Sequence, residues 1–309
     1  MGLLDGKVAI VTGSGRGIGR GEALELAKQG AKVVVNDVGA EVTGEGVNEK
    51  IADVVVEIIQ ERGGEAVANY DNVSTWDGAG NLVAQAVNAF GQVDILVNNA
   101  GILRDGVIVN MTEEQFDSVV GVHLKGTMAC THHAANHWRG RSKAGEDVKA
   151  SIINTVSSAG LQGNVGQANY GAAKAGIAAL TVISSLELSR YGARANAIAP
   201  GGMTRMVGVA VQQGVEVKEA DEYGDDEFVP LNPGNSAPMV AWLASDVSIP
   251  VTGQVFRAVG NTVAHYRGWS LGDTIETPKE PRRWNPEELT DVVFGRIFGV
   301  KARGLQMGG

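Results

Sequence analysis

The sequence predicts an α/β protein of the doubly wound type, in which helices cover both faces of one parallel sheet. Short runs rich in valine, isoleucine and alanine alternate with helical segments up to about residue 260. These runs are almost continuously apolar, as expected for strands that are buried on both faces. Because about seven such units follow without a break, we expect one domain, residues 1–260, and a C-terminal extension, residues 261–309, that packs on it or on a neighbouring subunit.

The predicted strands are short segments enriched in β-branched residues. They lie at 7–13, 32–37, 65–72, 93–101, 150–158, 193–201 and 254–260.

The segments between these strands have helical patterns. Predicted helices lie at 19–31, 47–62, 77–90, 112–138, 167–180 and 235–246. The polar segment 139–150 is expected to be a surface excursion. In the extension, Asn285 as N-cap and Pro286 as first helical residue predict the start of one more helix.

Composition limits the classes of function. The formal charge of −9 disfavours a nucleic-acid partner. The only cysteine, Cys130, excludes an internal disulfide and fits a reducing compartment. We see no signal-peptide pattern and no uninterrupted apolar run long enough to span a membrane. We therefore expect a cytoplasmic protein without a membrane span.

A glycine-rich turn joins the first predicted strand to the first predicted helix. It reads VTGSGRGIGRG, in which Gly13, Gly17 and Gly19 are spaced G-x-x-x-G-x-G. Without Cβ atoms, such a turn brings the backbone close to a pyrophosphate at the positive end of a helix dipole. A plain strand–helix turn is the alternative, but the position in the first strand–helix–strand unit favours a dinucleotide site.

Asp37 ends the second predicted strand and indicates which dinucleotide binds. A carboxylate there can accept hydrogen bonds from both ribose hydroxyls of adenosine, and it would repel a 2′-phosphate. Arg16, in the glycine turn, could instead meet that phosphate. We give Asp37 more weight because it is aimed at the hydroxyl itself, so NAD is the predicted cofactor.

Five motifs occur in the order typical of one enzyme family: TGSGRGIG (12–19), NNAG (98–101), SS (157–158), YGAAK (170–174) and PGGMT (200–204). Over about residues 5–260 the chain resembles the short-chain dehydrogenases/reductases. VVVNDVG, NNAGILRD and GNVGQANYGAAKAG resemble more closely the subfamily of (3R)-hydroxyacyl-CoA dehydrogenase units in peroxisomal multifunctional enzymes of type 2. The resemblance implies a single Rossmann-type domain with a seven-stranded parallel sheet, assembled as a homodimer or homotetramer.

The resemblance also implies which residues contact NAD. The turn that contains Gly202 and Thr204 is one residue shorter than the family's P-G-x-x-x-T. The implied cofactor residues are Gly13, Arg16, Ile18, Asp37, Asn72, Val73, Asn99, Tyr170, Lys174, Gly202 and Thr204.

Tyr170 and Lys174 lie four residues apart, so a helix would place their Cβ atoms about 5–6 Å apart on one face. An ordinary surface pair is the alternative. By resemblance, Tyr170 transfers the proton, Lys174 supports it, and Ser157 holds the substrate oxygen, with Ser158 as the competing serine. A lysine about 4 Å away supplies about 4 kcal/mol at an effective dielectric near 20. Because about 2.7 kcal/mol lowers a tyrosine pKa by two units, we expect a lowered pKa for Tyr170, with burial opposing the shift.

The histidines and the charged segments have less specific interpretations. His123 stands where many family members carry an asparagine that holds a water, and it is expected to hold the same water or only to pack. His133 and His137 have i, i+4 spacing but no clear third ligand, so we predict no metal site. The acidic run 216–227 is expected to be a solvated lid face. Candidate cations for a CoA ester are Arg104, Lys125, Arg141, Lys143 and Arg205.

The predicted function is NAD-dependent interconversion of a secondary alcohol and a ketone in lipid metabolism, with (3R)-3-hydroxyacyl-CoA as the expected substrate. A hydroxysteroid dehydrogenase is the first alternative, because it uses the same catalytic residues. A 3-oxoacyl reductase is less favoured, because reductive synthesis normally uses NADPH. A non-catalytic dinucleotide-sensing scaffold is a further alternative, although a sensor has no evident need for Ser157, Tyr170 and Lys174 together.

Overall fold

The computed structural model describes residues 2–46, 50–207, 217–223, 228–268, 270, 274–277, 283–286, 288–289 and 293. The chain divides into two compact units, Met1–Tyr266 and Arg267–Gly309. In the second unit, Pro286 is helical, and the backbone N–H of Glu288 donates to the carbonyl of Asn285 at 3.0 Å. This bond fits a helix that starts at Asn285.

The first unit is built on one sheet, and each predicted strand is present in it. The strands are β1 Val8–Thr12, β2 Lys32–Asn36, β3 Ala66–Asn69, β4 Ile95–Asn98, β5 Ala150–Thr155, β6 Ala193–Gly201, β7 Val255–Val259 and β8 Thr262–Tyr266.

The strand order is β3-β2-β1-β4-β5-β6-β7-β8. β1 to β7 pair in parallel, which confirms the doubly wound parallel sheet. β8 is an addition to the seven predicted strands, and it pairs antiparallel with β7. The two strands are joined by Gly260 and Asn261, and the positive φ of Gly260, 55°, suits a tight hairpin turn.

Helices cover both faces of this sheet. Residues 47–49 of the second predicted helix lie outside the described residues. The helices are α1 Gly17–Lys28, α2 Lys50–Glu61, α3 Trp76–Phe90, α4 Glu113–Val120, α5 Gly126–Lys143, α6 Ser158–Gln162, α7 Ala168–Leu188 and α8 Ala237–Ala244.

The prediction of one helix over 112–138 followed by a surface excursion was wrong in two details. A π-helical turn, Gly121–Lys125, separates α4 from α5. α5 continues to Lys143, so the first five residues of the expected excursion are helical. The polar last turn is held by Arg141, whose guanidinium donates to Asp94 at 3.1 Å and to Glu146 at 2.7 Å.

Alternate residues of each central strand pack into two apolar layers. Val11 lies in the layer with Leu26 and Val240, from α1 and α8. Its neighbour Ile10 lies in the layer with Leu82 and Trp138, from α3 and α5. Because both faces are covered, both sets of side chains must be apolar, which explains the unbroken apolar runs.

The chain reverses its direction of strand addition between β1 and β4. β1 is paired with β2 on one side and with β4 on the other. In open α/β sheets, ligands bind at the carboxyl ends of the strands at such a switch point. The fold therefore places the predicted site beside Thr12 and Asn98.

By length and composition, one helix among the described residues could cross a membrane, Ala168–Tyr191. This segment contains α7, which packs against β5, β6 and α4 of the first unit. Its apolar character is that of a helix in a folded α/β domain.

Candidate active site

A cavity opens at the carboxyl ends of β1, β2 and β4, at the switch point. Its volume is ≈ 220 Å³. Gly202, Tyr170 and Lys174 do not line it. The predicted cofactor residues that line it are Gly13, Arg16, Ile18, Asp37, Asn72, Val73, Asn99 and Thr204.

The glycine turn has no room for side chains on its inner side. A Cβ on Gly13 would lie 2.7 Å from the Cα of Ala100, and one on Gly19 would lie 2.3 Å from Nδ2 of Asn99. Gly13 and Gly17 also have positive φ, 63° and 56°. The turn therefore requires glycine both for its conformation and for its close approach to β4.

Thr12 and Asn99 fix this turn to the end of β4. The Thr12 hydroxyl accepts from the backbone N–H groups of Asn99 and Ala100, at 3.0 and 3.1 Å. The Asn99 amide donates to the carbonyls of Thr12 and Gly13, both at 3.0 Å. The Asn99 side chain thus joins the end of β4 to the glycine turn in the wall of the cavity.

Asp37 lies in the cavity wall, and both of its oxygens accept backbone hydrogen bonds. Oδ2 accepts from Gly15 at 2.9 Å and Oδ1 from Gly39 at 2.7 Å. Each carboxylate oxygen can accept more than one hydrogen bond. The carboxylate is therefore oriented by the chain and retains acceptor capacity.

Arg16 lines the cavity near Glu41, and its buried Nη1 has no hydrogen-bond partner among the described residues. Its Nη1 lies 3.9 Å from Glu41, and Glu41 also accepts from Arg205 at 2.9 Å. Burial and the nearby charge of Arg205 lower the pKa of Arg16, while Glu41, Asp37 and Glu219 oppose the shift. Glu41 thus bridges the two guanidinium groups at the mouth of the cavity.

Sequence reasoning missed the role of Glu219. Its carboxylate accepts the backbone N–H of Gly17, the first residue of α1. Two residues on, Asp221 receives two hydrogen bonds from Arg20, at 2.6 and 2.7 Å. Although burial opposes it, Arg20 lowers the pKa of Asp221. The prediction of a solvated acidic face was therefore wrong for Glu219 and Asp221, while 216 and 224–227 lie outside the described residues.

Gly202 allows the end of β6 to pack closely against Pro233. A Cβ there would lie 2.6 Å from the Cα of Pro233. Pro233 begins a short 3₁₀ turn, Pro233–Ser236, that leads into α8. The glycine lets the end of β6 touch this turn.

The structure brings Ser157, Tyr170 and Lys174 together. The Ser157 hydroxyl lies near enough to the Tyr170 hydroxyl to oppose the rise in its pKa, and Nζ of Lys174 lies 5.6 Å from the centre of the Tyr170 ring. α6 packs tightly on α7, because a Cβ on Gly160 would lie 2.7 Å from Cβ of Lys174. Ser158, the competing serine, is exposed.

The predicted lowering of the Tyr170 pKa is wrong for the protein without a bound cofactor. Burial raises the pKa of Tyr170, the nearby hydroxyl of Ser157 opposes the shift, and Asp105 adds to it. Burial also lowers the pKa of Lys174 to about 7, with Glu22 opposing it. Desolvation thus weakens the cation that was expected to stabilise tyrosinate, an effect that sequence spacing does not reveal.

His123 packs against Tyr170, and its buried Nδ1 has no hydrogen-bond partner among the described residues. Its ring lies edge-on to the tyrosine ring, with centroids 5.1 Å apart. Nε2 lies 3.1 Å from the N–H and 2.8 Å from the carbonyl oxygen of Ile102. Burial, together with the charge of Lys174, lowers the pKa of His123 to about 3, so the ring is neutral.

His133 and His137 both lie on α5. Nε2 of His133 donates to the Trp76 carbonyl at 3.0 Å. No group of three or more candidate metal ligands occurs among the described residues. Cys130 is buried, and burial raises the pKa of its thiol to about 12.

Exposed residues of the loops before α4 and α7 form an apolar rim. Ile108, Val109 and Val165 are exposed by 80%, 89% and 74%. The strand-like contact Gly106–Gln167 holds these two loops together, and Gln167 donates to Asp105 at 2.9 Å. The rim therefore presents apolar surface near the start of α7, the helix that carries Tyr170.

Comparison with known proteins agrees with this geometry. A family model described as short chain dehydrogenase matches residues 7–214. A hydroxyacyl-CoA dehydrogenase of Mycobacterium tuberculosis is 40% identical over 96% of this chain and 90% of its own length. A peroxisomal multifunctional enzyme type 2 of Drosophila melanogaster is 42% identical over 78% of this chain but only 37% of its own length. The crystal structure of a short chain dehydrogenase from Mycobacterium avium is 46% identical, has a TM-score of 0.85, and matches over 100% of both chains.

Gly101 tests the packing of His123. A Cβ at Gly101 would lie 2.3 Å from Cε1 of the buried ring. We expect Gly101→Ala to lower the free energy of unfolding by about 1–3 kcal/mol, measured by urea denaturation, and Gly101→Ala with His123→Ala to lose less than the two single losses added. Gly140→Ala, where nothing lies within 4 Å, is the control. An unchanged stability in Gly101→Ala would contradict the packing role.

Proposed function

Since the chain belongs to the short-chain dehydrogenase family, we propose that Ser157, Tyr170 and Lys174 catalyse its oxidoreductase chemistry on CH–OH groups, with NAD as the dinucleotide. The grouping of Ser157 beside Tyr170, with the buried Lys174 5.6 Å from the Tyr170 ring, is the observation that carries this assignment. A sensing scaffold would have no use for such a group.

The proposed chemistry separates an alcohol into a ketone, a hydride and a proton. Ser157 holds the substrate oxygen, and Tyr170 takes the proton from the hydroxyl. Lys174 supports the tyrosinate from behind the ring. A dinucleotide held by the residues of the cavity would supply the hydride acceptor and, in its oxidised form, a positive charge. That charge would oppose the burial that raises the pKa of Tyr170.

The residues of the cavity fit a dinucleotide. The glycine turn leaves a cradle that Cβ atoms at Gly13 and Gly19 would fill. The backbone N–H groups at the start of α1, of which Glu219 accepts that of Gly17, are suited to phosphate. Asp37 faces the same cavity. Asn72, Val73 and Thr204 complete the proposed walls.

NAD is proposed over NADP because two acids lie where a 2′-phosphate would need cations. Asp37 and Glu41 both line the cavity. Glu41 already engages Arg16 and Arg205, the nearby basic groups. The negative charges of Asp37 and Glu41 would repel a 2′-phosphate, so they favour a ribose whose hydroxyls are free.

A (3R)-3-hydroxyacyl-CoA is the proposed substrate. The names of the relatives and the apolar rim of Ile108, Val109 and Val165 support it. A hydroxysteroid is the second candidate, because two proposed CoA cations are already paired: Arg104 with Glu45 and Glu114, and Arg205 with Glu41. Arg141 pairs with Asp94, before the amino end of β4. Steady-state assays with both substrate classes decide; preference for a hydroxysteroid over every 3-hydroxyacyl-CoA would overturn the acyl-CoA proposal.

Assembly as a homodimer or homotetramer in the cytoplasm is also proposed. The outer side of α7 exposes Val182, Ile183 and Leu186, the last by 73%. Contiguous exposed apolar residues of this kind often mark contacts between subunits. Sedimentation measurements distinguish a monomer from either assembly.

Tyr170→Phe tests the proton acceptor. Removing the hydroxyl while keeping the ring should lower kcat about 10²–10⁴-fold, measured as NADH absorbance with a panel of 3-hydroxyacyl-CoA thioesters and hydroxysteroids. Tyr191→Phe, at the end of the same helical segment, is the matched control. Wild-type turnover by Tyr170→Phe would remove this residue from the mechanism.

Asp37→Asn tests the choice between NAD and NADP. The wild type should prefer NAD, and loss of one carboxylate charge should reduce the ratio of kcat/KM for NAD to that for NADP about tenfold, or about 1.4 kcal/mol. Glu57→Gln, on the exposed side of α2, loses the same charge and should leave the ratio unchanged. Equal efficiency of the wild type with both dinucleotides would contradict the NAD proposal.

Glu219→Ala tests whether this carboxylate competes with the cofactor. Because Glu219 accepts the N–H that begins α1, it takes an amide suited to phosphate. We expect its removal to lower the Kd for NADH about tenfold, measured by fluorescence titration. Glu222→Gln, at an exposed acid three residues on, should have a smaller effect. Weaker binding in Glu219→Ala would show that Glu219 supports the bound state.

A further inference from the structure

Glu41 lies between two guanidinium groups at the mouth of the cavity. Its Oε2 accepts a hydrogen bond from Nη1 of Arg205 at 2.9 Å, and its Oε1 lies 3.9 Å from Nη1 of Arg16. All three residues line the cavity. Burial and then the charge of Arg205 lower the pKa of Arg16. The two cations are therefore close enough to share one anion.

The segment after β2 gives Glu41 a defined position in the cavity wall. The chain turns at Gly39, whose φ is 73° and whose backbone N–H donates to Oδ1 of Asp37 at 2.7 Å. On the other side of Glu41, the carbonyl of Val42 accepts from the backbone N–H of Leu103 at 3.0 Å. Because the backbone is hydrogen bonded on both sides, the carboxylate is directed at the two arginines by the fold.

Arg16 has bonding capacity that Glu41 does not use. A separation of 3.9 Å is an ion-pair contact but is too long for a hydrogen bond. Nη1 of Arg16 is buried, and it has no hydrogen-bond partner among the described residues. A guanidinium can donate two parallel hydrogen bonds to a phosphate. An oxygen of a bound ligand would therefore satisfy a donor that the chain itself leaves unpaired.

Asp37 relates these guanidinium groups to the ribose of a dinucleotide. Its Oδ2 accepts from the backbone N–H of Gly15, the residue directly before Arg16, at 2.9 Å. In the proposed complex, Asp37 accepts hydrogen bonds from the ribose hydroxyls. A phosphate on the 2′-oxygen would then lie beside Arg16, at the same end of the cavity as Arg205.

Other acids near Arg16 already accept backbone hydrogen bonds. Asp37 accepts from Gly15, and Glu219 accepts from Gly17. Among the described residues, Glu41 is the acid that forms ion pairs with both arginines. It is therefore the acid whose loss would release both cations.

We propose that Glu41 is a specificity-determining residue that withholds Arg16 and Arg205 from a 2′-phosphate. The inference rests on the proposed dinucleotide site. The Glu41 carboxylate takes up the charge of the two guanidinium groups, and it adds a negative charge that would repel a phosphate. Asp37 acts against the phosphate at the hydroxyl, whereas Glu41 neutralises the cations that would attract it.

A structural role of Glu41 has a different signature. The bond between Glu41 and Arg205 joins the segment after β2 to the turn after β6. If this bond only held the cavity together, its loss would weaken the binding of NADH and NADPH alike. Removal of a counter-charge should instead improve the binding of the ligand that carries the 2′-phosphate.

Glu41→Gln keeps the shape of the side chain and removes its charge. The probes are NADH and NADPH, which differ only in the 2′-phosphate, and their Kd values are measured by fluorescence titration. The Glu41 side chain is 64% exposed, so solvent screens its charge. We expect the Kd for NADPH to fall about tenfold and that for NADH to change little. An unchanged Kd for NADPH, or an equal change for both ligands, would overturn the proposal.

Glu45→Gln is the matched control, because it removes a charge from the same segment four residues on. The Glu45 side chain is exposed, pairs with Arg104 and does not line the cavity. Its replacement should leave the Kd for NADPH at the wild-type value. A fall of the same size as in Glu41→Gln would indicate a general effect of net charge and overturn the proposal.

The two arginines supply the second test. If Glu41 acts by withholding them, the gain in affinity for NADPH must depend on their side chains. Arg16→Met or Arg205→Met, each combined with Glu41→Gln, should therefore remove most of the gain. A gain that survives either replacement in full would show that Glu41 acts only by repulsion, and this result would overturn the proposal.

These titrations need no turnover, so they distinguish this proposal from the proposed function. Equal Kd values of the wild type for NADH and NADPH would contradict the preference for NAD. A fall confined to NADPH in Glu41→Gln would still support the role of Glu41 in that case. A wild type that binds neither dinucleotide would overturn both proposals.

Discussion

The buried amine of Lys174 is the constraint on which the arrangement of the site depends. Its Nζ donates to the carbonyl of Thr155 at 2.6 Å, which ties α7 to the carboxyl end of β5. α6 can then lie against α7 because Gly160 has no side chain. This contact brings the hydroxyl of Ser157 near that of Tyr170. Burial also lowers the pKa of the Lys174 amine to about 7. The buried position that fixes the geometry of the site therefore makes the charged form of the lysine less favourable.

Much of the fold could be predicted from the sequence because its signals are local. The apolar runs of β1 to β7 reflect burial on both faces, and the spacing of Tyr170 and Lys174 places them on one face of a helix. β8 was missed because four of its five residues are exposed, which leaves no apolar run, although Gly260–Asn261 is a hairpin signal. The contact of Glu219 with Gly17 joins residues 202 positions apart, and no local pattern indicates it.

The expected pKa of Tyr170 was wrong for a physical reason that applies to many buried sites. Sequence spacing gives the distance between two groups but not the depth at which they lie. Coulombic attraction and desolvation both grow as water is excluded, and they act in opposite directions on a charged group. Here burial is the largest influence on Tyr170, Lys174, His123 and Glu22 alike.

The chain carries a formal net charge of −9. A dinucleotide is also anionic, so the start of α1 must attract it in spite of this repulsion. The first residue of α1 offers a backbone N–H, which Glu219 accepts, and its second turn carries the buried Glu22. Backbone amides attract an anion without adding a basic side chain that would need its own counter-ion. Arg16 has such counter-ions in Glu41 and Asp37. Peptide dipoles at the start of α1 can therefore attract an anionic dinucleotide in an acidic chain without a further basic side chain.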